Sequence, residues 1–347
     1  MNKSARRPIL RLVFLIWVAL IAFGLPEIIA GTGRLWLSNP GTYVLSIPLY
    51  SVHFLLLCHV AIKTGRTSWP ALFLFGVLFG LYEAWITKVV WSGYPGSDGF
   101  SFGGFGQWFG IHETLGLVLF YHAVISFLLP LAVVSRLFSA FGQHFPVPNW
   151  VFGTTWAALL RRVGLLFILG IITGHNNPDL VEYLQTWVPY LGVIWLGYVV
   201  LRRQGVTIGS GPDAVARATL SRVGFAVAVI LLMAIYAVPY FKLQPEMLPP
   251  VSVQLVTLAF YPVLAFLLWR AGPAGQAVQV SQDIKDPAKM PLYWLLAVFV
   301  MGLLGIFSRS AGIGIPDGII AIAFVAMVPL GLGLFLWLVG WKVLLRR

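Results

Sequence analysis

The chain has 347 residues, of which 59% are hydrophobic and only 10% charged. A soluble domain keeps about a quarter of its residues charged to wet its surface, so a water-facing globule is excluded and lipid is left as the solvent for the apolar excess. The formal net charge of +12 is dispersed between apolar runs, which excludes a nucleic-acid surface and assigns the basic residues to the membrane face.

Apolar runs of about 20 residues, the length that crosses a hydrocarbon core, recur along the whole sequence. Backbone groups in lipid must be satisfied within their own segment, so each run is expected to be helical. The strict alternation of barrel strands is missing. The sequence predicts an all-α, polytopic transmembrane helix bundle of about ten spans, with both termini on the cytoplasmic side. In chain order the spans are Ile9–Ile29, Thr42–Ile62, Trp69–Trp91, Ile111–Val133, Thr155–Gly174, Tyr183–Leu201, Val223–Phe241, Val251–Trp269, Pro291–Phe307 and Gly318–Trp341. Arg161 and Arg162 fall inside the fifth apolar window and mark its cytoplasmic edge. Met1–Arg7 is basic and precedes an apolar run, but Ile28-Ile29-Ala30 lacks the small residue that cleavage needs, so the first span is read as a retained anchor.

Charge sets the orientation. With the N-terminus inside, every Lys and Arg except Arg34, Lys88, Lys242 and Arg309 falls on the cytoplasmic side, nineteen of 23. Basic residues are retained inside, and there they face anionic lipid head groups. Asp98, Asp179, Glu182, Glu246 and Asp317 lie in the outer loops. The expected partners are the bilayer and those head groups, in a prokaryotic cytoplasmic membrane; the sequence leaves the oligomeric state open. The organisation reads as one integral membrane domain, 1–347. Spans 1–4 (1–135) carry the polar residues, and spans 5–10 (155–347) form an apolar scaffold. The outer loop Ser92–Gly110, rich in Gly, Phe and Ser, is read as an interfacial connector or a lid.

Ionisable groups at membrane depth are costly and each asks for a partner or a role. A central charge costs about 2.5–3.5 kcal/mol on insertion scales, which the apolar residues of span 3 offset. At a rise of ~1.5 Å per residue, Glu83 lies about 12 Å from the outer end of its span, and His53 and His122 about 16 Å. Three titratable side chains on consecutive helices thus share one level. Tyr50 shares the His53 stripe on span 2, and Ser126 follows His122 by four residues on span 4. Gly76 and Gly80 form a GxxxG pair on the Glu83 face, which allows close helix approach. The predicted ligand or proton pocket is Glu83, His53, His122, Tyr50 and Ser126. A satisfied structural pair is the alternative on the same residues. Glu27, Lys88, His112 and Glu113 form an outer polar group, read as an interfacial salt-bridge network. His175, in Gly174-His175-Asn176-Asn177-Pro178-Asp179, reads as an outer turn.

A single cysteine, Cys58, rules out a disulfide framework and a Cys-based metal cluster. Walker loops, HExxH and aspartate-rich diphosphate motifs are missing, so no cofactor is named by the sequence.

Three stretches carry a resemblance: Leu25-Pro26-Glu27, Phe79-Gly80-Leu81-Tyr82-Glu83-Ala84, and Tyr121-His122-Ala123-Val124-Ile125-Ser126 with Pro130. They resemble a group of uncharacterised prokaryotic multi-pass membrane proteins over roughly the first 140 residues. The likeness implies that the Glu and His positions define the group, and it implies no activity. A fainter likeness is to the CAAX-processing and bacteriocin-immunity type intramembrane endopeptidases, whose pattern is EExxxR, FxxxH and HxxxN or HxxxD. Glu83 and Lys88 match the first motif in part, with Ala84 in place of its second Glu. His122 matches the second with Val118 for Phe, and His175 with Asp179 fits the third spacing. That resemblance implies water activation for peptide hydrolysis. Three readings therefore stand: a Glu/His pocket for a small or lipidic ligand or for proton coupling, a metal-dependent endopeptidase, and a structural or accessory subunit.

Overall fold

The computed structural model describes residues 3–85, 112–142, 144–145, 148–204, 219–242, 251–273, 289–313 and 317–345. Among them the secondary structure is helical, with no strand. α1 is Lys3–Ala30, α2 joins a π-turn Thr42–Ser46 to Ile47–Lys63, and α3 is Trp69–Trp85. α4 joins a π-helical stretch His112–Leu128 to an α-helical stretch Leu129–Leu137. Short helical turns Ser139–Gly142 and Pro148–Phe152 precede α5, Trp156–Asn176, and α6, Leu180–Arg203. α7 is Arg222–Tyr240, α8 Val251–Ala271, α9 Met290–Ser310, and α10 joins Asp317–Phe335 to a π-helical Leu336–Leu345.

Among the described residues seven helices are long and apolar enough to cross a membrane, and three shorter apolar helices, Trp69–Ala84, Arg222–Val238 and Leu258–Ala271, accompany them. These ten segments fall at the ten positions expected from the sequence. Many large apolar side chains point outward, Val223, Trp269 and Leu304 among them, each more than half exposed. In water that would be a severe cost at ~25 cal/mol per Å²; in lipid it is none. The protein is a polytopic helical bundle.

Polar caps set several helix ends. Thr155 accepts from Ala158 N at 3.2 Å before α5, and Asp179 accepts from Glu182 N at 2.9 Å before α6. Side-chain oxygens in that position satisfy amides the helix cannot. The expected outer turn at 174–179 is shorter than read: α5 runs on through His175 to Asn176, and Asn177–Asp179 makes the turn. Pro178, which lacks an N–H, fixes the stop.

The chain forms two compact units from interleaved segments. The first comprises Met1–Ser51, Leu129–Leu220 and Gln276–Ile320. Its centre is aromatic, with ring N–H and O–H groups hydrogen-bonded to backbone carbonyls and to a threonine hydroxyl. Trp17 Nε1 donates to Ile194 O at 2.8 Å, and Tyr183 OH to Phe299 O at 2.7 Å. Trp187 Nε1 donates to Thr173 Oγ1 at 3.0 Å. These partners are needed because a buried N–H or O–H left unpaired costs about 1–3 kcal/mol. The second unit comprises Val52–Leu128, Ser221–Gly275 and Ala321–Arg347. There α3 packs most extensively against the π-helical part of α4, with α8 and the end of α10 also against α3.

Candidate functional site

The second unit holds the polar site. Its geometry begins with two glycines on α3. A Cβ on Gly76 would lie 2.7 Å from Ala123 O, and one on Gly80 would lie 2.8 Å from His122 Cβ. Only glycine lets the α4 backbone come this close, which is the GxxxG packing expected from the sequence. The stretch of α4 that meets them is π-helical, with i→i+5 bonding.

One turn beyond Gly80, Glu83 meets His122. Glu83 Oε2 lies 2.6 Å from His122 Nε2, with side-chain exposures of 6% and 5%. On the other side of the ring, His122 Nδ1 lies 3.1 Å from Ser126 Oγ. Both imidazole nitrogens are thus engaged. A proton on Nε2 is donated to the carboxylate whether the ring is neutral or cationic. Nδ1 then accepts from the Ser126 hydroxyl in the neutral ring and donates to its oxygen in the cationic one. Serine serves both states by turning its hydroxyl, so one further proton is accommodated with no backbone movement.

Phe79 and Tyr82 continue the site. The His53 ring meets Phe79 edge-on at 4.8 Å and Tyr82 at 4.3 Å, and Phe79 lies 5.8 Å from His122. Phe79 therefore stands in ring contact with both histidines. Tyr82 OH donates to Leu232 O on α7. Its ring faces Tyr236 at 6.0 Å, and Tyr236 stacks on Tyr240 at 5.6 Å. His53 is 4% exposed.

The structure thus brings Glu83, His122 and Ser126 together directly, and sets His53 beside them across aromatic rings. Tyr50 is buried, three residues before His53 on α2, in the part of that helix belonging to the first unit. Sequence reasoning passed over Phe79, Tyr82 and Tyr236. The first two sit four and one residues before Glu83, and i, i+4 tyrosines at 236 and 240 were the available signal on α7.

Of the outer polar group, Lys88 lies outside the described residues, as do the side chains of His112 and Glu113. Glu27 closes the end of α1, where its carbonyl accepts from Gly33 N at 2.9 Å and Thr32 Oγ1 at 3.2 Å. The outer loop Ser92–Gly110 also lies outside the described residues. An ion pair not expected from the sequence joins Arg34 Nε to Glu182 Oε1 at 3.4 Å in the first unit. His175 offers its carbonyl to Arg309 Nη1 at 3.1 Å.

Over residues 13–347 the chain matches the family described as "Uncharacterized membrane protein family". The chain belongs to this family. It is also similar to an "Uncharacterized protein" of Archaeoglobus fulgidus, 29% identical over 232 residues, which cover 64% of this chain and 66% of that protein. The chain thus spans about two thirds of the length of that relative. No solved structure matches. Membership agrees with the likeness to uncharacterised prokaryotic membrane proteins carried by the Glu83 and His122 stretches, and it carries nothing of the endopeptidase likeness. His175 and Asp179 belong to the first unit, while Glu83 and His122 belong to the second. Among the described residues, no three His, Cys, Asp or Glu side chains group as metal ligands.

Proposed function

We propose that this membrane protein couples the binding of a proton at Glu83 and His122 to the movement of a small solute across the bilayer. One observation carries the reading: a carboxylate and an imidazole 2.6 Å apart, each about 95% enclosed, within helices that cross the membrane. A salt bridge kept for stability alone is poorly placed there. Replacing a buried ion pair with apolar residues is often neutral or stabilising, because desolvation offsets the attraction. An intramembrane ionisable pair is retained more readily where a proton must be taken up and released. Ser126 supports this by accepting either state of the ring, and the aromatic rings around His53 keep the pair in low dielectric.

Infrared difference spectra of the full-length protein in lipid, recorded between about pH 4 and 9, test the proton step. Imidazolium bands that grow on acidification together with a shift of the carboxylate band, a pattern lost in Glu83→Gln, support it. A spectrum identical in the two proteins removes the proton site. Coupling is tested by proton flux into proteoliposomes under an imposed membrane potential, with a panel of small solutes. Flux that depends on a solute in the wild type and is abolished in both Glu83→Gln and His122→Gln supports transport. A titrating band without any solute-dependent flux leaves a proton site and overturns the carrier.

A further inference from the structure

The end of α4 in the first unit carries a different set of polar atoms. Ser135 and Arg136 lie in the last turn of the stretch Leu129–Leu137, with 3% and 8% of their surfaces exposed. The chain then folds back on itself. Phe138 N donates to Val134 O at 2.9 Å, Gly142 N to Phe138 O at 2.9 Å, and Phe145 N to Gly142 O at 3.1 Å. Phe138, Phe141 and Phe145 of this turn are buried. Within the segment, Ser135 Oγ, Arg136 Nε, Arg136 Nη2 and His144 Nε2 are buried and meet no hydrogen-bond partner among the described residues.

A cation in the last turn of a helix is favoured by the helix dipole, and that accounts for the charge of Arg136. It does not account for the two donors. Nε–H and the adjacent Nη2–H form one edge of the guanidinium, the edge that presents two parallel hydrogen bonds to an oxyanion. Elsewhere the chain fills this edge from its own backbone. Arg270 gives Nε to Val343 O at 3.0 Å and Nη2 to Leu344 O at 3.2 Å. Arg309 gives Nη2 to Gly174 O at 2.7 Å and Asn177 O at 2.6 Å. Arg11 gives Nη2 to Thr219 O at 2.6 Å. Arg136 is buried with the same edge unmatched, and a charged donor in that state is costlier than a neutral one.

We infer that the Arg136 edge binds a phosphate group. The positive-inside distribution puts this turn at the cytoplasmic face, at the level where lipid phosphates are concentrated. A lipid phosphodiester and free inorganic phosphate offer the same oxygens, and experiment separates the two. The site is independent of the Glu83 pair.

The test uses the full-length protein in nanodiscs of phosphatidylcholine alone, or of phosphatidylcholine with phosphatidylglycerol, and in each case with and without inorganic phosphate. Thermal unfolding and native mass spectrometry of retained lipid are read together. Ligand binding to the folded state raises the unfolding temperature. Phosphatidylglycerol is expected to stabilise the wild type and to be retained, with affinity reduced about tenfold in Arg136→Gln, the loss of one charge-assisted contact. Exposed Arg203, exchanged in Arg203→Gln, is expected to leave binding unchanged. The same shift from inorganic phosphate alone, again lost in Arg136→Gln, assigns the site to the free ion. Where Arg136→Gln fails to fold, Arg136→Lys keeps the charge but not the paired donors, and is expected to weaken binding as well. Equal losses in Arg136→Gln and Arg203→Gln, or wild-type binding in Arg136→Lys, overturn the proposal, as does indifference of the wild type to both phosphate sources.

Discussion

Glu83 and His122 are held in contact by the absence of side chains one turn away. Gly80 sits one turn before Glu83 on α3, and the position its Cβ would occupy is 2.8 Å from His122 Cβ and 3.0 Å from Val118 Cα. Backbone approach and ion pair are one feature, because a wider helix separation would draw the imidazole off the carboxylate.

Gly80→Ala is therefore expected to destabilise the protein by about 1–3 kcal/mol, the range for overpacking a filled interior, and to reduce the pH-dependent shift of the Glu83 carboxylate band. Gly192→Ala gives the contrast. Nothing lies within 4 Å of a Cβ there, and alanine is the better helix former by about 1 kcal/mol. Thermal unfolding of both variants in one lipid checks the pair of signs; equal effects would mean that the close approach at Gly80 is unimportant.

Removing one partner of the pair leaves the other buried and unmatched, so Glu83→Ala and His122→Ala are each expected to cost about 3–5 kcal/mol. Glu83→Gln retains a hydrogen-bonding group and should cost less while losing the titration. The double variant Glu83→Ala with His122→Ala should cost less than the two single changes together. Additive losses in that cycle would show that the two side chains do not interact.

Much of this was legible in the sequence because membrane insertion is a coarse filter. Apolar runs of span length give the helices, and the cost of charge at depth singles out Glu83 and His122. What remained hidden depends on facing. Apolar periodicity does not register the i→i+5 bonding of His112–Leu128, which resets which residues share a side. Tyr82 and Phe79 read as ordinary apolar surface until His53 is placed between their rings. The end of α5 was hidden for another reason: Arg309, 133 residues after Asn176 in the chain, supplies donors to the carbonyls there, and no local pattern announces such a partner.

Two arginine contacts of the first unit should differ sharply. Arg309 donates to three backbone carbonyls, Gly174, His175 and Asn177, at 2.6 to 3.1 Å. Hydrogen bonds to a charged group contribute about 1.5–3 kcal/mol, so Arg309→Ala should destabilise by that amount and speed hydrogen exchange after Asn176. Arg34 is paired with Glu182 at 3.4 Å and is 43% exposed. Exposed pairs contribute about 0–1 kcal/mol, so Arg34→Ala should change the unfolding temperature little. A larger effect from Arg34 than from Arg309 would reverse this ranking.

His144, in the connector after α4, gives the protein a defined response to acid. Burial holds its imidazole below the usual histidine range, since desolvation disfavours the cation. In the unfolded chain the ring takes a proton near pH 6.5, so the unfolded state binds it first as the pH falls. Stability from this group is full above that value and declines below it, until the folded ring also protonates. Unfolding temperatures measured in phosphate-free buffer at about pH 7.5 and 5.5 should therefore fall for the wild type by more than for His144→Gln, whose side chain stays neutral at both. Other groups that titrate over the interval act on both proteins alike, so the difference between them isolates His144. Parallel curves for the two would mean that the ring is solvated and titrates as it does in the unfolded chain.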